Sequence, residues 1–353
     1  MSKDARRTPL AIGMLLRFRG ASFMLNISRP FVLLSGTVVL AFGGESKPKT
    51  KVESTIPVLW QAPAESRRDL FYGAGGEEDQ PRGTVTFENE DMAGSNPKFV
   101  VRDSNGIKWT VKIGNEARPE TVASRLVWAA GYFTNEDYFV PDLRVEGMPS
   151  HLKRGQDLVT PEGVKNVRLK RHNPDEKKDG TWSWRNSPFR GTRELNGLRV
   201  LMALMNNWDL KDENNAIYVD KKSDSQIYMV SDLGASFGAT ALIVPKHRSK
   251  DDLGEYRRSK FIRKETEEYV NFSVPGRPSI LYLFAEPMFL SRMRLEWIGR
   301  HIPRDDARWM GNILGGLSGA QIRDAFRAGG YSASETEAFA TILESRIAQL
   351  REL

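Results

Sequence analysis

The sequence predicts an α+β fold in which a strand-rich half is followed by a helix-rich half. Three observations carry this. Alternating and β-branched runs bounded by turn residues cluster between residues 84 and 146. Helical apolar spacing dominates from Thr192 onward. Strands and helices do not alternate as βαβ units, and no internal repeat is present. The 353 residues suffice for two lobes with a proper core, and 40% hydrophobic with 27% charged residues is ordinary globular composition. The absence of cysteine excludes disulfides, thiolate zinc sites, Cys nucleophiles and Cys-linked lipid anchors.

Phe31-Val-Leu-Leu-Ser-Gly-Thr-Val-Val-Leu-Ala-Phe42 is a long apolar run without charge, preceded by Arg17, Arg19 and Arg29 and ending in the small-x-small pattern Ala41-Phe42-Gly43. Residues 1–43 are therefore expected to be a secretory signal peptide. The run is too short for a membrane-spanning helix, which needs about 20 residues. After leader removal no transmembrane helix is expected, and the protein is periplasmic or extracellular; with the leader retained it is cytoplasmic. Residues 44–83 read as an N-terminal extension. Its first part, to residue 70, is rich in Lys, Pro and Ser, a tether or an ordered extension, and Tyr72–Gly83 is a turn-rich loop.

Residues 84–146 are expected to form the first lobe. Thr84–Glu88 alternates. Lys98–Asp103 and Ile107–Ile113 flank Ser104-Asn105-Gly106, a hairpin turn signal. Glu120–Ala130 reads as an amphipathic helix entered through Pro119 and closed by Gly131. Tyr138–Pro141 and Asp142–Val145 return to strand character. Residues 147–353 are expected to form the second lobe. Its first part, 147–190, is basic and loop-rich, with Lys165–Lys178 read as a solvated loop. Leu195, Leu198, Leu201, Met202 and Met205 predict a helix over Thr192–Asn206. Ala216–Val219 and Ile227–Val230 are two short strands around a polar turn. Residues 279–353 are mostly helical, most clearly Leu281–Phe289, Ser291–Ile298 and Ser332–Leu350.

One constellation carries chemistry. Lys112 ends a strand, Asp209-Leu-Lys211-Asp212-Glu213-Asn214-Asn215 lies between an apolar helix and a strand pair, and Asp232-Leu-Gly234 follows that pair. A Lys fixed on a strand is a positioned cation for nucleotide phosphates, and a helix Glu holds it in place: Glu120, with Glu116 as competitor. A divalent metal wants hard oxygen ligands, which Asp232 and Asn214 or Asn215 provide. Asp209 can orient an acceptor hydroxyl and take its proton. Lys211 can offset charge on the transferring phosphoryl group.

These residues resemble the protein-kinase-like superfamily over roughly residues 84–330. Asp209-Leu-Lys-x-Glu-Asn214 is similar to the kinase catalytic loop Asp-Leu-Lys-Pro-Glu-Asn, with Asp212 in the Pro position; Asp232-Leu-Gly234 is similar to Asp-Phe-Gly, and Lys112 to the Lys of Val-Ala-Ile-Lys. The resemblance implies a two-lobed fold and a phosphotransferase using ATP with Mg²⁺ or Mn²⁺ on an unidentified acceptor. Nucleotidyl transfer on the same fold and a non-catalytic pseudokinase binding module are the alternatives. The departures point to an atypical branch, such as phosphoinositide-kinase-like, HipA-like or secreted kinase-like proteins. Asn207-Trp208 replaces His-Arg, no Ala-Pro-Glu follows Asp232, and no G-x-G-x-x-G precedes Lys112. The loop Asp91–Lys98 takes the lid position, with Ser95 and Lys98 as candidate phosphate contacts.

The formal charge of +7 is unevenly distributed. Residues 1–43 hold six basic groups and one acid, leaving 46 basic against 44 acidic residues, or +2, on the other 310. No nucleic-acid recognition motif accompanies the remaining basic runs, so nucleic acid is not an expected partner. His151, His172, His247 and His301 lack metal-ligand spacing. Trp182-Ser-Trp184 with Arg185 and Arg190 is either a substrate platform or a structural aromatic cluster.

Overall fold

The computed structural model describes residues 55–63, 69–94, 96–160, 163–223, 225–238, 250–274 and 295–353. All belong to one unit, Glu53–Leu353. The expected leader, Ser95 and the expected helix Leu281–Phe289 lie outside the described residues. The chain supplies β1 (Ile56–Val58), β2 (Val85–Glu90), β3 (Lys98–Arg102), β4 (Lys108–Lys112), α1 (Ala117–Ala129), β5 (Asp137–Leu143), β6 (Val145–Glu146), β7 (Val159–Thr160), β8 (Gly163–Arg171) and β9 (Glu176–Gly180). It continues with α2 (Arg193–Leu204), β10 (Asn215–Asp220), β11 (Ser225–Val230), α3 (Leu253–Arg258), β12 (Ile262–Glu265), β13 (Tyr269–Phe272), β14 (Ile302–Pro303), α4 (Arg304–Leu314), α5 (Gly319–Ala328) and α6 (Ala333–Arg351).

The first sheet has the order β5-β8-β4-β3-β2-β6, with β7 added against β8. Period-two alternation sorts its residues. Phe99, Val101, Trp109, Val111, Tyr138, Val167 and Leu169 pack in one apolar cluster. The alternate residues lie on the other face, where Lys98 pairs with Lys112, Lys112 with Arg168, and Thr110 with Lys170. That face meets α1. The stretch Lys165–Lys178, expected to be a solvated loop, is instead largely strand. Its residues up to Arg171 fill the sheet between β4 and β5, so the first sheet runs beyond the boundary expected at residue 146.

α1 begins at Ala117, three residues before the expected start. Pro119 therefore sits inside its first turn, where no amide donor is required. Gly131, at φ +93°, ends it as expected. Of the N-terminal extension, residues 55–63 and 69–83 are among those described. β1 pairs parallel with β11, and the Trp60 indole N–H donates to the Ala130 carbonyl at 2.8 Å.

A second sheet, β1-β11-β10-β9, joins the two parts, and a third, β12-β13-β14, lies among the helices. α2 is capped by Thr192, which accepts the Leu195 N–H at 3.2 Å. α5 and α6 each open with a capping box, Ser318/Gln321 and Ser332/Glu335. Their inward faces, with those of α1, α2 and α4, share a single large apolar cluster. Among the described residues no helix is long and apolar enough to cross a membrane.

Candidate functional site

The site begins at β4. With Trp109 and Val111 in the apolar cluster, alternation sends Lys112 to the opposite face, where it is 5% exposed. A buried ammonium needs anionic partners. Two come from the start of α1, because its N-cap Glu116 and Glu120 are four residues apart and share a helix face. Lys112 Nζ lies 2.8 Å from Glu120 Oε2 and 3.1 Å from Glu116 Oε2, so both candidate partners reach it. Asp232 Oδ1 is 3.2 Å from the same nitrogen.

Glu120 also meets Arg168 of β8 at 2.9 Å, and Arg168 meets Asp137 of β5 at 3.4 Å. Asp232, Lys112, Glu120, Arg168 and Asp137 thus form a string of alternating charge. Glu116 branches from it and pairs with Lys250 as well. Lys170, opposite Asp137 on β8, completes the balance of charge. Carboxylate oxygens of Glu116, Glu120 and Asp232 lie within 4.8 Å of one another, and the Asp232 side chain is 37% exposed, so this end offers hard oxygen donors that fit a divalent cation.

The charge states follow from these contacts. Burial opposes a charged Lys112, but Glu120 and Asp232 outweigh it and raise its pKa. Burial pushes the Asp232 carboxyl up, while Lys112 and the Gly234 N–H pull it down further, to about 2. Burial lifts the Glu120 carboxyl against the pull of Arg168 and Lys112. Gly234 is required for this packing, since a Cβ there would come 2.8 Å from both Cβ and Oε2 of Glu116.

The catalytic-loop candidates are held by their own backbone. Asn207, in the His position, accepts the Asp209 N–H on its side-chain oxygen at 3.1 Å. Lys211 Nζ lies 3.0 Å from Asp209 Oδ1. The Asn214 amide donates to the Asp209 carbonyl at 2.5 Å, which leaves Oδ1 as a free donor atom for a metal. The Asn214 carbonyl accepts the N–H groups of Ser231 and Asp232 at 2.9 and 3.2 Å. Asn214 therefore ties the Asp209–Asn214 loop to the Asp232 turn. Asn215 is different: it is fully buried in β10 and donates to the Trp182 carbonyl at 2.9 Å. Its Oδ1 is buried without a hydrogen-bond partner among the described residues, so Asn215, like Asn214, still offers a carbonyl oxygen to a metal.

The loop between β2 and β3 is latched at several points. Lys98 Nζ meets Asp91 at 3.4 Å across its base, Arg154 donates to the carbonyls of Asp91 and Gly94 at 2.6 Å, and the Asn96 amide donates to Glu116 Oε2 at 2.5 Å. Lys98 thus stands in register with Lys112, with its ammonium on Asp91.

Sequence reasoning missed three residues. Arg168 lay in the basic run. Lys250 follows Asp232 with no distinguishing pattern. Arg346 of α6 is 3% exposed and donates to the Leu204 and Tyr256 carbonyls, to Asn206 Oδ1 and to Ser259 Oγ, all within 2.9 Å. It holds the end of α2 and the entry to the Asp209–Asn214 loop together. Trp182 and Trp184 are 4% and 2% exposed and pack on each other with ring centroids 4.8 Å apart, so these two rings are structural.

No protein-family model and no curated protein sequence matches the chain. Among solved structures it is similar to the proinflammatory kinase CtkA of Helicobacter pylori, at 11% identity and TM-score 0.42 over 76% of this chain and 97% of that one. It is also similar to the Golgi casein kinase, at 10% identity and TM-score 0.34 over 77% of this chain and 73% of that one. A structure of the Golgi casein kinase with Mn and ADP bound gives 9% identity and TM-score 0.38 over the same shares. The α+β fold is thus accompanied by kinase-like neighbours, while the chemistry rests on this chain's own side chains.

Proposed function

We propose that the protein is an atypical kinase-like phosphotransferase that uses ATP with Mg²⁺ or Mn²⁺. The observation that carries this reading is the convergence on Lys112 and Asn214. The first bridges Glu120 and Asp232, and the second bonds to both Asp209 and the Asp232 turn. Lys112, kept charged and fixed by Glu120, would hold nucleotide phosphates. Asp232 and Asn214 Oδ1 would hold the divalent cation, which when bound neutralises phosphate charge. Asp209 would orient the acceptor hydroxyl. As its oxygen bonds to the γ-phosphorus, the bond from that phosphorus to the bridging oxygen breaks, ADP leaves, and the hydroxyl proton passes to Asp209. Lys211, beside Asp209, would stabilise charge on the moving group.

A second reading, nucleotidyl transfer, draws on Lys170. It shares the sheet face of Lys112 and Thr110, and its ammonium has no hydrogen bond or ion pair among the described residues. A second cation on this sheet face would suit a terminal phosphate better than a base. Incubation with ATP labelled at the γ- or the α-phosphate separates the two. Label from γ alone, lost in Asp232→Ala, supports the kinase; label from α alone supports nucleotidyl transfer. Absence of any thermal shift with Mg-ATP or Mn-ATP would sink both.

A further inference from the structure

The segment between β9 and α2 frames a groove beside the catalytic loop. Asp212, in the position where ordinary kinases carry Pro, accepts the Trp184 N–H at 3.2 Å and so pins this segment to the loop. A cavity of about 480 Å³ opens there, lined by Asp212, Arg185, Asn186 and Trp297 among others. A second, of about 510 Å³, shares Trp184, Arg185 and Trp297 with it and continues past Arg190 to His301. Trp297 lies under two guanidinium groups, Arg185 at 5.2 Å and Arg199 at 5.5 Å from its ring centroid.

The charge in this groove is one-sided. Arg199 spends its donors on Asn196 and on the carbonyls of Trp297, Ile298 and Arg300. Arg185 and Arg190 are exposed, and among the described residues neither guanidinium has a hydrogen bond or ion pair. Asp212 is the lone acid among the described residues that line the two cavities, and it stands at the catalytic-loop end. Unpaired arginines along an aromatic-floored trough suit carboxylates, which guanidinium binds in a fork.

We infer that this groove binds the acceptor, and that the acceptor is an acidic polypeptide segment lying extended along it. The inference rests on the phosphotransferase reading of the neighbouring site. Two neighbouring cavities that share Trp184, Arg185 and Trp297 ask for an elongated occupant, and guanidinium groups without an acidic partner ask for an anionic one. Asp209 and Asp212 are three residues apart, so the groove begins within about 10 Å of the catalytic carboxylate. At about 3.3 Å per extended residue, acidic side chains from roughly the third position beyond the phosphorylated hydroxyl reach Arg185 and Arg190.

The test uses a fluorescein-labelled peptide with one serine followed by a run of Glu and Asp, beside the same peptide with Gln and Asn. Binding is read by anisotropy at low and high salt. The acidic peptide is expected to bind at least about tenfold more tightly, with the difference falling as salt rises. Arg185→Glu with Arg190→Glu should abolish the preference, Arg185→Lys with Arg190→Lys should retain most of it, and both pairs should keep the Mg-ATP thermal shift. Equal binding of the two peptides, or a preference that survives charge reversal, overturns the inference. Mg-ATP binding without peptide preference removes the groove alone. An arginine-dependent peptide preference without Mg-ATP binding leaves the groove standing and removes the nucleotide reading.

Discussion

Replacing Lys112 by Met keeps the stem of the side chain and deletes the cation shared by three carboxylates. The cost follows from the contacts. Asp232 is held at about 2 against its ordinary 3.8, a gap worth about 2 kcal/mol. Its side chain is 37% exposed, and solvent screening reduces that to about 1 kcal/mol. Glu116 and Glu120 lose a partner but keep Lys250 and Arg168, so their loss falls below the 3–5 kcal/mol of an orphaned buried charge, at about 1–2 kcal/mol. Lys112→Met should therefore lower stability by about 2–3 kcal/mol at pH 7. The sign with pH is fixed by Asp232. Its carboxyl is depressed in the folded chain, so its contribution is present above the ordinary carboxylate range and is lost as pH falls from about 4 toward 2. The gap between the parent protein and the variant should narrow over that window. Urea unfolding at pH 7, 5, 3.5 and 2.5 measures it. Equal stability at pH 7, or a gap undiminished at pH 2.5, would refute the shared-cation account.

Two further perturbations probe the supports of the site. Tyr331→Phe removes the hydroxyl that donates to Asp251 at 2.5 Å while sparing the ring under Arg118; it should cost about 1–2 kcal/mol in urea unfolding and weaken Mg-ATP binding in a titration, and no change in either would show that α1 is not held from this side. Arg346→Met strips donors from Leu204, Asn206, Tyr256 and Ser259; a loss of about 3 kcal/mol or more is expected, with transferase activity falling further than the folded fraction measured by circular dichroism.

Residues that work through short-range geometry were legible. The hairpin around Gly106, the helix that follows Thr192 and the loop from Asp209 to Asn214 each fold by contacts within a few residues, and each reads directly from spacing. Glu116 and Glu120 could not be ranked because a helix places both on one face, and the structure uses both. Arg168 was hidden for a different reason. Its neighbours in sequence are Lys165, Lys170 and Arg171, which look like a solvated run, whereas its counter-charges, Glu120 and Asp137, arrive from α1 and β5. Charge compensation across a sheet leaves no local pattern. Arg346 is the same case on a helix, since the carbonyls that it satisfies belong to α2 and α3.

The missing Arg before Asp209 acquires a physical counterpart in the way α1 is held. Trp208 occupies that position and is buried, so a phosphorylated loop has no guanidinium there to grip. α1 is fixed from two other sides. Lys250 pairs with Glu116, and its neighbour Asp251 lies 3.6 Å from Arg118 and accepts the Tyr331 hydroxyl. Arg118 also meets Glu335 of α6 at 2.9 Å and lies 3.9 Å over the Tyr331 ring. The turn between α5 and α6 closes the clamp. A Cβ on Gly329 would come 2.9 Å from Val122 of α1, and Gly330, at φ +76°, leaves no room for one against Phe139 of β5. These contacts come from residues 250–251 and 329–335, far from the Asp209–Asn214 loop in sequence, and they act on the start of α1, which carries Glu120 in its first turn and Glu116 as its N-cap. A helix held by packing and ion pairs of the fold presents Glu120 to Lys112 without a population shift to be driven. The position of α1 is then a property of folding rather than of modification.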